Sequence, residues 1–269
     1  MSLSQWIDLD FEAVVPDDHG LGCNMQPESE LLRAFDSLPW YDEVCADEMV
    51  PRSQWRDLAL AIRADLRATT AEIFSQGRTS ACVGFGAAQA VETFLNRVYG
   101  RKHRVALSGM SVYDQIGSTL MSGAMISDGM AFAEEVGPLP LDTPENRRRY
   151  PVCFPGLDYR WSRPAGWKNT AGLFRVTKAA KAQGSEMIAS ALLKRRTGIV
   201  GRSRHCVPYV LLDFSGNSPV ACYANSWSPD WGDAGFGYDS ERVFGSLVMY
   251  VVLEVATRPD LGLPQLLAA

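Results

Sequence analysis

Apolar residues in the first half of the chain recur every three or four positions, the spacing of one buried helix face. The clearest stripe runs from Val83 to Val98 and stops at Gly100, a residue type that commonly ends helices. Thr79 and Ser80 precede this stripe and are suitable N-terminal caps. One helix is predicted to begin after Pro51, and a second one precedes and ends at Gly100. Further helices are predicted over residues 126–136 and 185–193, with a short one over residues 29–35.

The second half of the chain contains runs rich in β-branched and aromatic residues. Strands are predicted over residues 207–214, 220–224 and 247–255, with a turn at Gly216 and Asn217 between the first two. A helical half followed by a strand-rich half is typical of an α+β fold. We expect two lobes, and the proline-rich, aromatic loops around residues 150–167 are where the chain would cross between them.

Charge divides the chain at about residue 50. The chain has 269 residues, of which 46% are hydrophobic and 21% charged, as in an ordinary soluble globular protein. Residues 1–50 carry a net charge of −11, whereas the remainder carries +6. We therefore expect an acidic N-terminal extension, residues 1–50, ahead of a domain formed by residues 51–269.

Several classes of protein and site are disfavoured by the sequence. No apolar run reaches the length of a membrane span, and the N-terminus lacks a secretory signal. The basic runs at residues 147–149 and 194–196 lack interleaved aromatic residues, so they indicate solvated faces rather than a nucleic-acid surface. The six cysteines have no zinc-ligand spacing. We expect no metal, cofactor, nucleic-acid partner or membrane span, and a cytoplasmic or virion-associated location.

Cys82 lies in the first turn of the helix that ends at Gly100. The positive end of a helix dipole stabilises a thiolate and lowers the pKa of a cysteine, and Arg78 nearby would act in the same direction. A small apolar side chain packed under a turn is the alternative interpretation of such a cysteine. The helix alone does not decide between a reactive thiol and a packing residue.

His205 and Asn225 are the candidate partners of this thiol. His205 begins one predicted strand and Asn225 ends the next, so a hairpin would bring them to the same end of the sheet. Cys206 and Cys222 stand at odd offsets from them and should point to the opposite face, into the core. His19 and His103 have no comparable setting, and we expect both at the surface.

These pieces together resemble the papain-like cysteine peptidases. The resemblance covers roughly residues 51–255, and each motif falls on a suitable predicted element. The matching residues are Gln76 and Gly77 ahead of Cys82, then Ser127 to Phe132 with Gly137, His205, Asn225 to Trp227, and Trp231 to Phe236.

The resemblance implies a catalytic role for each matching residue. Cys82 would be the thiolate nucleophile, and His205 would be its imidazolium partner and general acid. Asn225 would orient the His205 ring, and Trp227 would shield that hydrogen bond from water. The side-chain amide of Gln76 and the backbone N–H of Cys82 would bind the oxyanion.

The resemblance also implies the fold and the substrate class. We expect a helical left lobe over about residues 51–150, a β-barrel-like right lobe over about residues 151–269, and an active site in the cleft between them. Ser127, Asp128 and Met130, together with Trp227, would contact a peptide or protein substrate.

The chain departs from the family pattern in three respects. Val83 stands where an aromatic residue is common, and Thr79 replaces a cysteine whose disulfide partner is also missing near Gly123 and Ala124. Residues 1–50 do not resemble the helical inhibitory propeptide of the family. We therefore expect the chain to resemble compact members of the family, of bacterial or bacteriophage type.

Three functions remain open on the sequence. The first is a working thiol peptidase. The second is a structural or virion assembly protein on a papain-like fold, with weak or no activity. The third is acyl transfer or cell-wall amide hydrolysis by the same residues, because the acyl-enzyme chemistry is shared.

The acidic extension carries many apolar residues and is too hydrophobic for a disordered tail. We expect it to pack on the body as an integral strap, with Arg202 and Arg204 drawing it across the mouth of the cleft. It could also contact a second copy of the chain or an assembly partner.

Overall fold

The computed structural model describes residues 3–100, 106–140 and 166–256. Helices dominate the N-terminal half of these residues and an antiparallel sheet dominates the C-terminal half, so the α+β prediction is confirmed. The α-helices are α1 (Phe11–Val14), α2 (Glu28–Ala34), α3 (Tyr41–Val44), α4 (Trp55–Ala68), α5 (Cys82–Tyr99), α6 (Gly109–Ile116), α7 (Ile126–Glu135), α8 (Trp167–Ala171), α9 (Gly184–Leu193) and α10 (Glu241–Phe244).

Helix α5 lies at the centre of the fold and begins at Cys82, as predicted. It packs against α6 and α7 and against the sheet, so it is buried on more than the single face that its stripe suggested. The predicted caps Thr79 and Ser80 do not cap it, and no side chain does. The Thr79 hydroxyl donates instead to the carbonyl of Gln76, and the Ser80 hydroxyl donates to that of Leu21.

Within the described residues the sheet contains six strands in the order β1-β6-β2-β3-β4-β5, and every neighbouring pair is antiparallel. Strands β1 and β5 are its edges. The predicted β-barrel-like lobe is therefore an open sheet. The strands are β1 (Val176–Gln183), β2 (Thr197–Arg202), β3 (His205–Ser215), β4 (Ser218–Ala224), β5 (Phe236–Ser240) and β6 (Val248–Val255).

The pattern located β3, β4 and β6 but missed the other three strands. The β1 sequence, VTKAAKAQ, is rich in alanine and lysine, and the β2 sequence, TGIVGR, contains two glycines. These residue types are depleted in strands, so their strand conformation comes from pairing with β6 rather than from local preference. Strand β5 has five residues and shows too little alternation to be recognised.

Both faces of the sheet are covered. Along β6, Tyr250 and Val252 belong to the core that includes α5, whereas Met249 and Val251 belong to the core that includes α4 and α9. Successive side chains of a strand point to opposite faces, so the sheet lies between α5 on one side and α4 with α9 on the other. This arrangement fixes the starts of β3 and α5 against each other.

The N-terminal extension packs on the body along most of its described length. Phe11 and Tyr41 are fully buried in the core that contains α4 and α9, and Phe35 is buried in the core that contains α5. Arg202 holds the extension, as expected, but through the carbonyl oxygen of Leu9 rather than through an acidic side chain. None of the helices in the described ranges is long and apolar enough to cross a lipid bilayer.

Candidate active site

The β3–β4 hairpin brings His205 and Asn225 together. Its turn joins Ser215 to Ser218, so the start of β3 and the end of β4 lie at the same end of the sheet. The Nε2 atom of His205 is 2.8 Å from Oδ1 of Asn225. An amide oxygen only accepts hydrogen bonds, so Nε2 carries the proton and Nδ1 is the basic atom of the ring. Nδ1 is buried and has no hydrogen-bond partner within the described residues.

Two aromatic side chains enclose the His205 ring. Trp227 stacks on it, with ring centroids 4.6 Å apart and an interplanar angle of 28°. Phe11, from the extension, meets the ring edge-on at 4.7 Å. The ring is fully buried, and this burial lowers the pKa of His205 from 6.5 to about 4, against the opposing hydrogen bond from Asn225. The imidazole is therefore neutral at pH 7 in this structure.

Cys82 is the first residue of α5 and is also fully buried. Burial raises the pKa of its thiol to about 12, although backbone N–H groups of Cys206, Gly22 and Val83 act to lower it. The thiol therefore lies beside the start of β3, next to the residue that follows His205. Burial therefore favours the protonated thiol in this structure, and the thiolate expected from the helix N-terminus stays a prediction.

The side chain of Gln76 is completely engaged. Its Oε1 accepts a hydrogen bond from the Ser226 hydroxyl, and its backbone N–H donates to the Ser226 carbonyl at 2.8 Å. Its Nε2 donates to the carbonyl oxygens of Gly20 at 3.0 Å and Thr79 at 2.7 Å. The Gln76 amide, which we expected to bind an oxyanion, thus lies beside Ser226, but one of its N–H groups donates to the Gly20 carbonyl of the extension.

A short part of the extension runs through the cleft; we call residues 20–24 the cleft segment. On one side the backbone N–H groups of Gly22 and Cys23 donate to the carbonyl of Arg204, at 3.1 and 2.9 Å. On the other side Asn24 donates to the carbonyl of Ala124, and Ala124 donates to that of Gly22, both at 2.9 Å. The segment therefore bridges the two walls of the cleft as an extended chain.

Glycines in the cleft segment allow this close approach. A Cβ atom on Gly20 would lie 2.3 Å from the Thr79 carbonyl oxygen, and one on Gly22 would lie 2.0 Å from that of Ser80. Real contacts of this kind are longer than 3 Å. Nothing in the local sequence pattern around these glycines indicated a chain lying against the start of α5.

The three α7 residues that we expected to contact substrate lie in different surroundings. Ser127, in the first turn of α7, donates a hydrogen bond to the side chain of Gln26 at 3.1 Å. Asp128 is exposed, and Met130 is buried in the core that contains α5. Of these three α7 side chains, Ser127 is the one seen in contact with the extension.

One residue that the sequence did not indicate, Gly201, lies beside the cleft segment. A Cβ atom on Gly201 would lie 2.5 Å from Cδ1 of Ile126, 3.1 Å from Sγ of Cys23 and 3.5 Å from Sδ of Met25. Gly201 thus stands next to the side chains that the extension inserts. Ile126, whose apolar side chain with Met125 and Met130 suggested an apolar pocket, stands there too.

His19 is not the surface residue that we expected. Its side chain is 9% exposed, and its ring lies 6.1 Å from that of Trp227. Nδ1 is 2.7 Å from the Asp18 carboxylate, and Nε2 is 3.2 Å from the Ser75 hydroxyl. No sequence signal indicated this position, because the contacts of His19 are formed with residues that are distant in the chain. His103 lies outside the described residues, whereas Cys206 and Cys222 are buried as predicted.

The described residues contain no group of three or more His, Cys, Asp or Glu side chains arranged to hold a metal ion. An open cavity of about 610 Å³ is lined by residues including Glu135, Lys168, Arg175 and Glu254. The catalytic candidates do not line it. Beside those candidates, the cleft segment occupies backbone groups of Arg204 and Ala124.

Comparisons with known proteins place this geometry. No protein-family model matches the sequence, and no curated protein is similar to it. Solved structures, in contrast, do match the fold of this chain.

Three of these structures match most of the chain. A recombinant stem bromelain precursor matches with a TM-score of 0.58 at 15% identity, over 91% of this chain and 80% of the other. Procathepsin B S9 from Trypanosoma congolense has a TM-score of 0.57 at 16% identity, over 86% and 85%. Xylellain, a cysteine protease from Xylella fastidiosa, has a TM-score of 0.53 at 15% identity, over 91% and 99%.

The fold is therefore papain-like, as the sequence motifs predicted. Coverage of 91% leaves fewer than 50 residues unmatched, so the matches to bromelain precursor and xylellain extend into residues 1–50. At this level of identity the likeness establishes the fold of the chain and not its activity.

Proposed function

We propose that the protein is a latent papain-like cysteine peptidase that hydrolyses peptide bonds with Cys82, His205 and Asn225. The observation that carries the proposal is the buried His205–Asn225 pair, 2.8 Å apart under Trp227, at the sheet end that meets the start of α5. Each candidate has the atom that the chemistry requires, and the similar structures include cysteine proteases.

The first step begins when the extension leaves the cleft. Water then reaches Cys82 and His205, so the burial that holds both groups neutral is removed. The thiol transfers its proton to Nδ1 of His205, while Nε2 remains hydrogen-bonded to Asn225. The helix N-terminus stabilises the resulting thiolate.

The thiolate attacks the carbonyl carbon of a peptide bond and forms a tetrahedral intermediate. Nε2 of Gln76, released from the Gly20 carbonyl, and the backbone N–H of Cys82 donate to its oxyanion. Loss of one such donor typically costs about 2.7–4 kcal/mol of transition-state stabilisation. Nδ1 of His205 returns the proton to the leaving amine, and water then hydrolyses the acyl-enzyme through the same ring.

The cleft segment accounts for latency. It occupies the backbone acceptor at Arg204, both backbone groups of Ala124 and one hydrogen of the Gln76 amide. A peptide substrate cannot use these groups until the segment leaves. In this proposal the extension is a built-in cover of the active site.

A hydrolysis assay on an opened form of the full-length chain tests the proposal. Gly22→Ala would open the cleft, since the added Cβ meets the Ser80 carbonyl oxygen at 2.0 Å. We expect Gly22→Ala to degrade an unfolded protein such as casein, and Gly22→Ala with Cys82→Ala to be inactive. Gly22→Ala with Cys222→Ala is the matched control, because Cys222 is equally buried but lies away from the cleft.

Activity that survives Cys82→Ala would contradict the proposal. An opened form that neither hydrolyses protein nor transfers acyl groups would contradict it as well. The assembly or virion role gains no support from the similar structures, and no contact within the described residues favours it.

A further inference from the structure

Two buried cysteines outside the proposed mechanism lie close together across the cleft. Sγ of Cys23, in the cleft segment, is 3.1 Å from the position that a Cβ atom on Gly201 would take. Gly201 is the direct antiparallel partner of Cys206 in the β2–β3 pairing. The extension thus places its thiol beside the strand that carries His205.

The register puts both thiols on one face of the sheet. Directly paired residues in antiparallel strands have Cβ atoms about 4.5–5.5 Å apart on the same face. Sγ of Cys206 lies 2.9 Å from the Cβ position of Gly86, so this face is the one covered by α5. Cys23, at the Gly201 position of that face, is therefore a cross-strand neighbour of Cys206.

Both side chains are enclosed. Cys23 is 2% exposed and Cys206 is 1% exposed. Burial raises the pKa of each thiol well above its ordinary value, with further contributions from the neighbouring cysteines. In the closed protein both are thus protonated and unreactive, and Cys23 becomes reactive when the extension lifts into water.

We propose that a peroxide oxidant joins Cys23 to Cys206 in a disulfide that staples the cleft segment over Cys82. This inference rests on the proposed function for its consequence, which is a peptidase locked by oxidation and released by thiols. The disulfide itself requires no peptidase activity.

The chemistry has two balanced steps. In the first, the Cys23 end of the cleft segment lifts while Gly20 to Gly22 still cover the start of α5, and the Cys23 thiolate attacks hydrogen peroxide and with one proton gives Cys23 sulfenic acid and water. In the second, the extension closes and the Cys206 thiol condenses with the sulfenic acid, which forms the S–S bond and releases a second water. Two thiols are oxidised by two electrons and one peroxide is reduced.

The staple would leave Cys82 chemically intact. Cys82 belongs to the same buried cluster as Cys23 and Cys206, but Cys23 contacts the position of Gly201, which is the register partner of Cys206. Covalent closure would protect the nucleophile from peroxide, and thiol–disulfide exchange by a dithiol would restore access to it.

Disulfide mapping on the wild-type, full-length protein tests the proposal. The protein is treated with hydrogen peroxide, remaining thiols are blocked with N-ethylmaleimide under denaturing conditions, and unreduced peptides are analysed by mass spectrometry. We expect a Cys23–Cys206 linked peptide that dithiothreitol removes. We also expect Cys82 to carry N-ethylmaleimide.

A second measurement follows the consequence of the bond. Excess iodoacetamide at about pH 8, applied over a long incubation, should label Cys82 of the native protein slowly during transient opening of the cleft. Peroxide should abolish this slow labelling, and dithiothreitol should restore it. Cys23→Ser should remove this reversible protection, whereas Cys45→Ser, which changes another buried cysteine of the extension, should keep it.

A linkage through Cys82, Cys45 or Cys222 would overturn the proposal. So would Cys23 and Cys206 both recovered as maleimide adducts or as sulfinic acids. Because the mapping uses the wild-type chain, it decides the matter even if Cys206→Ser does not fold. A mapped Cys23–Cys206 bond in a protein without peptidase activity would keep the staple and reject the proposed function.

Discussion

Gly22 lies so close to Ser80 that a Cβ atom on Gly22 would be 2.0 Å from the Ser80 carbonyl oxygen. Ser80 stands two residues before Cys82, so this contact joins the extension to the entrance of the central helix. A methyl group at Gly22 cannot be accommodated unless one of the two backbones moves. The extension is held by fewer core contacts at this point than α5 is, so it is the extension that should move.

We therefore predict that Gly22→Ala lifts the cleft segment while the body stays folded. Hydrogen exchange at the amides of Cys23 and Asn24 should become faster, because their acceptors Arg204 and Ala124 are lost.

Gly172→Ala is the matched control for this variant. Gly172 has helical backbone angles, and nothing lies within 4 Å of its Cβ position. Such a change should leave exchange in the cleft unaltered and stabilise the protein by about 0.4–1 kcal/mol or leave it unchanged. Equal protection of the cleft amides in Gly22→Ala and the wild type would refute the steric argument.

The second prediction concerns the orientation of His205. Asn225→Ala removes the acceptor of the Nε2 hydrogen bond, so the ring can turn and its proton is less well placed. A hydrogen bond to a charged group is worth about 1.5–3 kcal/mol. This corresponds to a fall of about 10- to 100-fold in kcat.

The measurement is casein or peptide turnover in the Gly22→Ala background. Asn217→Ala, in the exposed hairpin turn, is the control and should leave kcat unchanged. An unaltered kcat in the Asn225 variant would show that another group orients the ring.

The third prediction concerns stability against pH. His205 has a pKa of about 4 in the fold, below its ordinary 6.5, so the unfolded chain binds the extra proton between these values. Its contribution to stability is complete above pH 6.5 and is lost as the pH falls towards 4. Burial raises the pKa of Asp239 to about 6, against the attraction of Arg202, so its contribution is complete below pH 3.8 and is lost as the pH rises through 6.

These two contributions oppose each other between pH 6 and about 4.5. The free energy of unfolding of the wild type should therefore change little from these two groups in that range. In His205→Gln it should rise by about 1–2 kcal/mol as the pH falls from 6 to 4.5, and in Asp239→Asn it should fall by a similar amount. Urea unfolding at several pH values measures this. Parallel profiles for all three proteins would mean that neither group titrates as its burial requires.

The sequence predicted the site hairpin because two short-range signals agreed. The turn at Gly216 and Asn217 and the alternation on both sides of it indicated a hairpin that brings His205 and Asn225 to the same end of the sheet. The register shift between Tyr209 and Leu211 was not predicted. The start of α5 at Cys82 was predicted for a similar reason, since its apolar stripe is long and Gly100 ends it.

The course of the extension could not be read in the same way. Its cleft segment is held by backbone groups, and its glycines are selected by contacts with Thr79 and Ser80, about 60 residues away in the chain. Pattern analysis contains no information on such distant contacts. The same reason explains the missed strand β1, whose conformation depends on pairing with β6.

The extension contributes to the burial of the catalytic candidates beside the motif residue Trp227, because Phe11 packs on the His205 ring. The helix N-terminus favours a thiolate, but desolvation outweighs it, and the pKa of Cys82 is about 12 in the closed state. Local chemistry therefore predicted the reactive residue, whereas the tertiary structure determines whether it is reactive.

The reactivity of Cys82 in the closed and opened forms tests the central claim most directly. Wild type, Gly22→Ala, and Gly22→Ala with His205→Ala are incubated with a limiting amount of iodoacetamide at about pH 6, and the labelled cysteines are mapped by mass spectrometry. At this pH an ordinary thiol is almost entirely protonated, so selective labelling requires an activated thiolate. The account predicts little label on wild-type Cys82, rapid and selective label on Cys82 in Gly22→Ala, and loss of that selectivity without His205. Equal labelling of Cys82 and Cys45 in the opened protein would contradict it.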